Sequence, residues 1–114
     1  MALMAANPQR FAAFVAYAEN GEALGFAEAA IRTDYVNGAQ SSPVGFLEGL
    51  YVVPHARRRG VARALVAEVV GWARDCACSE LASDTAAANA ASHAVHRALG
   101  FEESERVVFF RKLL

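Results

Sequence analysis

The sequence is poor in the residues that announce several common classes of protein. It has two cysteines, Cys76 and Cys78, and no His or Cys cluster elsewhere. That spacing builds no zinc site, so free thiols packed into the body of the protein are expected. No apolar run approaches the roughly 20 residues that cross a bilayer, so no membrane partner is expected. Residues 1–6 are apolar but short and carry no basic leader, so no signal peptide is read and the cytoplasm is the expected compartment. Lysine occurs once, at Lys112. The basic run Arg57-Arg58-Arg59 sits in a chain of net charge -1 with no basic face to extend it. This argues against a nucleic-acid surface. Internal repeats and linkers are absent as well, so residues 1–114 are expected to form a single domain.

What is present is a chain with 55% hydrophobic and 20% charged residues, which fits a packed globule. Residues 1–10 read as the tail of a helix that ends near Asn7-Pro8, because the residue before proline avoids the helical region. The apolar run 11–19 and the run 22–32 are separated by Asn20-Gly21, the strongest short hairpin signal. Residues 34–43 are rich in turn formers and predict a loop. The run 44–53 predicts a third strand, in which Gly45 and Gly49 signal a bulge or a close backbone approach. Leu65, Val66, Val69, Val70 and Ala73 recur at helix spacing and predict a helix over 61–77. A short strand is expected over 80–85. A second helix is expected over 89–99, with Asn89 as its N-cap and Gly100 as its C-cap. Strands over 101–105 and 107–111 would close a mixed α/β order.

The centre of this pattern is Val52-Val53-Pro54-His55-Ala56-Arg57-Arg58-Arg59-Gly60-Val61-Ala62. An apolar strand stops at a proline, a basic glycine turn follows, and a helix leaves. Such a corner suits phosphate, because the first N–H groups of a helix lack partners inside it and the helix dipole makes that end positive. Gly60 lets backbone and ligand come close. The plain alternative is a strand-to-helix turn with solvated arginines.

At Arg57-x-x-Gly60-x-Ala62 the chain resembles the pyrophosphate motif of the GNAT superfamily of N-acetyltransferases. Within it the chain looks most similar to the aminoglycoside 6′-N-acetyltransferases. The resemblance is carried by Asp34-Tyr35-Val36-Asn37-Gly38, Phe46-Leu47-Glu48-Gly49, Ala82-Ser83-Asp84-Thr85 and the stretch from Val95-His96 through Gly100-Phe101 to Glu105-Arg106-Val107. It implies an α/β (α+β) GNAT fold with a mixed, twisted sheet whose fourth and fifth strands splay apart. It implies acetyl-CoA as cosubstrate and a cationic amine, the 6′-amine of an aminoglycoside, as acceptor. Such enzymes begin with a strand and two helices ahead of the part matched here. Without them an exposed strand edge and apolar faces are expected, which favours pairing into a homodimer.

The same resemblance assigns the residues. Arg57, Arg58, Arg59, Gly60, Val61, Ala62 and Arg63 would anchor the phosphates. The backbone of Tyr51, Val52 and Val53 would bond the pantetheine amides like an added strand. A backbone N–H near Leu50 or Tyr51 would meet the thioester oxygen. Asn89 would bond the cofactor arm, or be a plain N-cap. Asp84 and Glu48 would bind the acceptor and take its proton, with Tyr35 and Glu105 further out. His96 would protonate the leaving thiolate, or be a helix histidine packed on a neighbour. No Ser or Cys is placed to form an acyl-enzyme, so direct attack in a ternary complex is expected. The other readings are a coenzyme A-binding protein without acceptor chemistry, and an acetyltransferase for a peptide or metabolite amine.

Overall fold

The structure, a computed structural model, describes residues 2–6 and 10–114, with side chains from Arg10 onward. The expected helix end at Asn7-Pro8 falls outside the described residues. The chain gathers into two units, Met1–Asp84 and Thr85–Leu114, each taken here by itself.

The first unit is a five-stranded sheet in the order β1-β2-β3-β4-β5, formed by Ala2–Ala6, Phe11–Tyr17, Ala23–Arg32, Val44–Val52 and Leu81–Ala82. β1 through β4 are antiparallel, and β5 joins β4 in parallel after the crossover helix α1, Val61–Asp75. The sheet is therefore mixed, as the GNAT resemblance implies. Ala2–Ala6 corrects the expectation of a helix tail. A few uncapped residues cannot sustain a helix, whereas the edge of β2 offers each main-chain group a partner. β1 pairs along β2, Ala5 with Phe14 and Ala2 with Tyr17, and is itself the outer strand of the sheet on that side.

The hairpin between β2 and β3 forms as the Asn-Gly pair predicts. Ala18 N–H donates to the Glu22 carbonyl at 2.8 Å, and Asn20 Oδ1 accepts from Glu22 N–H at 3.0 Å. α1 packs across β2, β3 and β4. It buries Val61, Leu65, Val66, Val69, Trp72 and Ala73. Trp72 joins the expected stripe, and Val70 is only half-buried. Alternation puts Ala12, Phe14 and Ala16 of β2 in the core, while Phe11, Phe26 and Tyr51 are exposed. No helix of the described residues is long and apolar enough to cross a membrane.

β5 touches β4 only at Gly45↔Leu81 and Phe46↔Ala82. A Cβ on Gly45 would lie 3.0 Å from the Ala73 Cβ and 3.2 Å from Leu81 Cδ1, so the glycine lets helix and strands close tightly there. Beyond Phe46, β4 runs on to Val52 with no described strand on that side, which is the expected splay. A register shift opposite Glu28 and Ala29 leaves Glu48 unpaired between Leu47 and Gly49, the bulge that the glycines predict. The strand expected over 80–85 is reduced to Leu81–Ala82.

The second unit holds one helix, α2, Ala90–Ala98. Gly100 N–H donates to the Arg97 carbonyl and Phe101 N–H to the His96 carbonyl, with Gly100 at φ 92°, the glycine stop that the sequence predicts. The strands expected over 101–105 and 107–111 are not formed. A strand needs a partner for its alternate main-chain groups, and this unit contains no other strand.

Candidate functional site

The corner after β4 is built from consecutive residues. Pro54–Ala56 make a short 3-10 turn whose Ala56 is buried, tying the turn to the core. Arg58 takes φ 62° and Gly60 takes φ 80°. Gly60 is the N-cap of α1, and with no side chain it leaves that helix end without a side-chain cap. The left-handed backbone costs little only for glycine. A Cβ at Gly60 would meet nothing within 4 Å, so the space in front of the helix end is open. Arg58, Arg59 and Arg63 are exposed around it, while Val61 is buried and offers only its main chain. Positive dipole, exposed guanidinium groups and open space suit a diphosphate.

Arg57 has a different task from its neighbours. Its Nε donates to the Val52 carbonyl at 2.9 Å, and its Cζ lies 5.8 Å from the Tyr51 ring centre. It folds back and ties the turn to the end of β4. Val53 N–H donates to the Leu24 carbonyl at 2.9 Å. Two of the main-chain groups that the resemblance assigns to the pantetheine amides are therefore already engaged. Tyr51 itself is exposed and packs on Phe26 with ring centres 6.1 Å apart.

Among the residues expected to bind the acceptor, Glu48 projects from the bulge of β4 and is exposed. Arg32 Nη2 stands 2.8 Å from Glu48 Oε1, and Arg32 Cζ lies 3.8 Å above the Phe46 ring. Asp84 is exposed just past β5. It does not cap α2; Asn89 does, with Oδ1 accepting from Ser92 N–H at 3.0 Å. The plain reading of Asn89 is thus realised for Oδ1. Tyr35 is 76% exposed in the loop between β3 and β4. Val36 anchors that loop in a small core with Val44 and Phe46.

In the second unit, His96 Nδ1 lies 2.8 Å from the Ser92 carbonyl. The Ser92 hydroxyl lies 3.2 Å from the same nitrogen, so Nδ1 donates to the carbonyl when it carries a hydrogen and accepts from the hydroxyl when it does not. The ring meets Phe101 edge-on at 5.3 Å. Glu105 is exposed in the segment without secondary structure.

Two residues of the site lay beyond the sequence reading. Arg32 is a partner for Glu48, and Glu80 binds the loop before β4. Glu80 Oε1 accepts from Gln40 N–H at 2.9 Å and from the Ser41 hydroxyl. The Ser41 hydroxyl, and then the Gln40 amide, hold the Glu80 carboxyl below its ordinary value. Both contacts join residues about forty apart in the chain, and no local pattern signals them. Burial and the nearby Cys76 push the Cys78 thiol up, which disfavours the thiolate a nucleophile needs.

The model of the acetyltransferase (GNAT) family matches residues 2–101. The aminoglycoside N(6')-acetyltransferase type 1 of Stenotrophomonas maltophilia is 59% identical over 100 residues, covering 88% of this chain and 65% of that protein. Its namesake in Salmonella typhimurium is 57% identical over 101 residues, covering 89% of this chain and 69% of that protein. The chain thus spans about two thirds of the length of these relatives. Among solved structures, AAC(6')-Iy in complex with a bisubstrate analog, CoA-S-monomethyl-acetylneamine, superimposes with a TM-score of 0.87 at 55% identity, covering 92% of this chain and 71% of that one. AAC(6')-Ih from Acinetobacter baumannii gives 0.88 at 50% identity, with 92% and 71% covered.

Proposed function

The chain belongs to the GNAT family of acetyltransferases, and from that membership we propose that it moves an acetyl group from acetyl-CoA to the 6′-amine of an aminoglycoside. The observation that carries this reading is that β4 pairs with β5 only at Gly45 and Phe46, runs on to Val52, and leads through a short turn to a glycine-led helix end without a side-chain cap. Acetyl-CoA supplies the acetyl group as a thioester. The relatives' names supply the acceptor class, and the exposed carboxylates of Glu48 and Asp84 suit its ammonium groups.

The residues divide the work. The main chain of Gly60, Val61 and Ala62, with Arg58, Arg59 and Arg63, holds the diphosphate. Arg57 fixes the turn that presents them. Tyr51, Val52 and Val53 align the pantetheine arm through main-chain groups not already engaged, and the amide of Asn89 bonds it from the side opposite its capping oxygen. A main-chain N–H at Leu50 or Tyr51, beside the bulge, donates to the thioester oxygen as charge gathers there. Asp84 takes the ammonium proton, directly or through water, and Glu48 holds the cation in place. His96 returns a proton to the leaving sulfur. Tyr35 and Glu105 line the acceptor's far end. The acceptor is attacked within a ternary complex, with no acyl-enzyme.

We read the active form as a cytoplasmic homodimer. Val108, Phe109, Phe110 and, past Arg111-Lys112, Leu113 are exposed, apolar side chains that a second copy would cover. The free thiols Cys76 and Cys78 suit a reducing compartment. Sedimentation at micromolar concentration tests the dimer, and a strictly monomeric species overturns it. An assay with acetyl-CoA and kanamycin-type acceptors tests the activity. Coenzyme A binding without turnover of any amine would defeat it.

A further inference from the structure

We propose that Glu80 is a positioning residue for the acceptor: it clamps the loop that carries Tyr35 onto the strand that leads to Asp84. The inference rests on the aminoglycoside reading above. One carboxylate oxygen accepts from two consecutive loop residues, the Gln40 N–H at 2.9 Å and the Ser41 hydroxyl. The backbone carbonyl of the same Glu80 accepts from Gly45 N–H at 3.1 Å, at the start of β4. Leu81, the next residue, is the first of β5. Glu80 therefore ties together the loop, the head of β4 and the head of β5. The loop's neck is closed separately, by the Ser42 hydroxyl donating to the Thr33 carbonyl at 3.0 Å. Its middle is held by the buried Val36.

These contacts fix position more than stability. Glu80 is half-buried and stands outside the small core of Val36, Val44 and Phe46, and a carboxylate that solvent reaches adds little to folding. What it holds is a segment whose tip, Asp34, Tyr35 and Asn37, is exposed, and whose other ties are Val36 and Ala39 on the small core and the bond from Ser42 to Thr33. Asp84 stands two residues beyond β5 on the other side of the clamp. A polycation that touches both Tyr35 and Asp84 meets them at a set separation only while the clamp is closed. Loosening it costs acceptor binding and leaves the cofactor corner, which is made from other residues, unchanged.

The test compares Glu80→Ala, Glu80→Gln and Ser41→Ala in the full chain. Glu80→Ala is expected to raise KM for kanamycin on the order of tenfold, with KM for acetyl-CoA within about twofold. Glu80→Gln keeps an accepting oxygen and is expected to restore KM to within about threefold of the wild type. Ser41→Ala removes one donor and should fall between, which keeps the test alive if Glu80→Ala folds poorly. Amide exchange at Gln40 should quicken in Glu80→Ala and stay slow in Glu80→Gln. An unchanged kanamycin KM in both Glu80→Ala and Ser41→Ala overturns the clamp while leaving the aminoglycoside reading intact. Equal rises in both KM values also overturn it. A wild type that neither binds nor acetylates any aminoglycoside overturns that reading and the clamp with it.

Discussion

From Tyr51 to Arg63 the proposed cofactor corner is one unbroken piece of chain, whereas the proposed acceptor side is drawn from Arg32, Tyr35, Glu48, Glu80 and Asp84 on separate segments. The corner's chemistry is main-chain chemistry. It needs a strand end, a left-handed glycine and a helix start, and its cations are incidental to the geometry. The acceptor side is side-chain chemistry, and its parts are held by long-range contacts such as Arg32 to Glu48 and Glu80 to Gln40. A site of the first kind tolerates change in its surroundings. A site of the second kind can retune its ligand by single substitutions without disturbing the first.

That contrast can be broken by experiment. Asp84→Asn should lower turnover by about 10²–10⁴-fold, the range for losing a general base, with coenzyme A affinity by calorimetry within about twofold. A large loss of coenzyme A affinity would mean that the two sites are not separable. Leu65→Ala should cost about 2–5 kcal/mol in a urea melt, because Leu65 is fully buried under the sheet. Val95→Ala in α2, where no residue is buried, should cost under about 0.5 kcal/mol. Gly60→Val forces a branched side chain into a left-handed backbone at roughly 1–2 kcal/mol. It should raise KM for acetyl-CoA on the order of tenfold and leave the acceptor KM alone.

Smaller effects sharpen the acceptor side. Arg32→Gln removes a half-exposed ion pair and should change stability by only about 0.2–1 kcal/mol. If its kanamycin KM falls, Arg32 competes with the substrate cation for Glu48. The smallest expected effect is on acid stability. The Glu80 carboxyl is held below its ordinary value in the folded chain, first by the Ser41 hydroxyl and then by the Gln40 amide. Its stabilisation is therefore complete above the unfolded value and is lost as pH falls through the lower folded one. Glu80→Gln should flatten that part of a plot of Tm against pH, and an unaltered slope would show that the carboxylate contributes nothing there.

For the local elements the amino-acid order was nearly sufficient. Asn20-Gly21 specified a hairpin, the spacing from Val61 to Ala73 specified α1, and Asn89 and Gly100 bracketed α2, because each is a local effect of backbone conformation or apolar period. The same reasoning failed at Ala2–Ala6 and over residues 101–111. There the strand or its absence depends on whether a partner edge is present, and residues cannot report their own partner. It also passed over Glu80 and Arg32. A charged residue beside a strand reads as solvated until the fold brings a donor or a counter-ion against it.

The order of residues by itself determined the strand, glycine turn and helix whose first amides have no side-chain cap, since φ, hydrogen bonding and dipole all act within a few residues. Only the tertiary structure decided that β5 leaves β4 after Phe46, that Arg57 turns back to Val52, and that Glu80 grips Gln40 and Ser41. Pairing and packing act between residues distant in the chain, and their energies exist only once the sheet has closed.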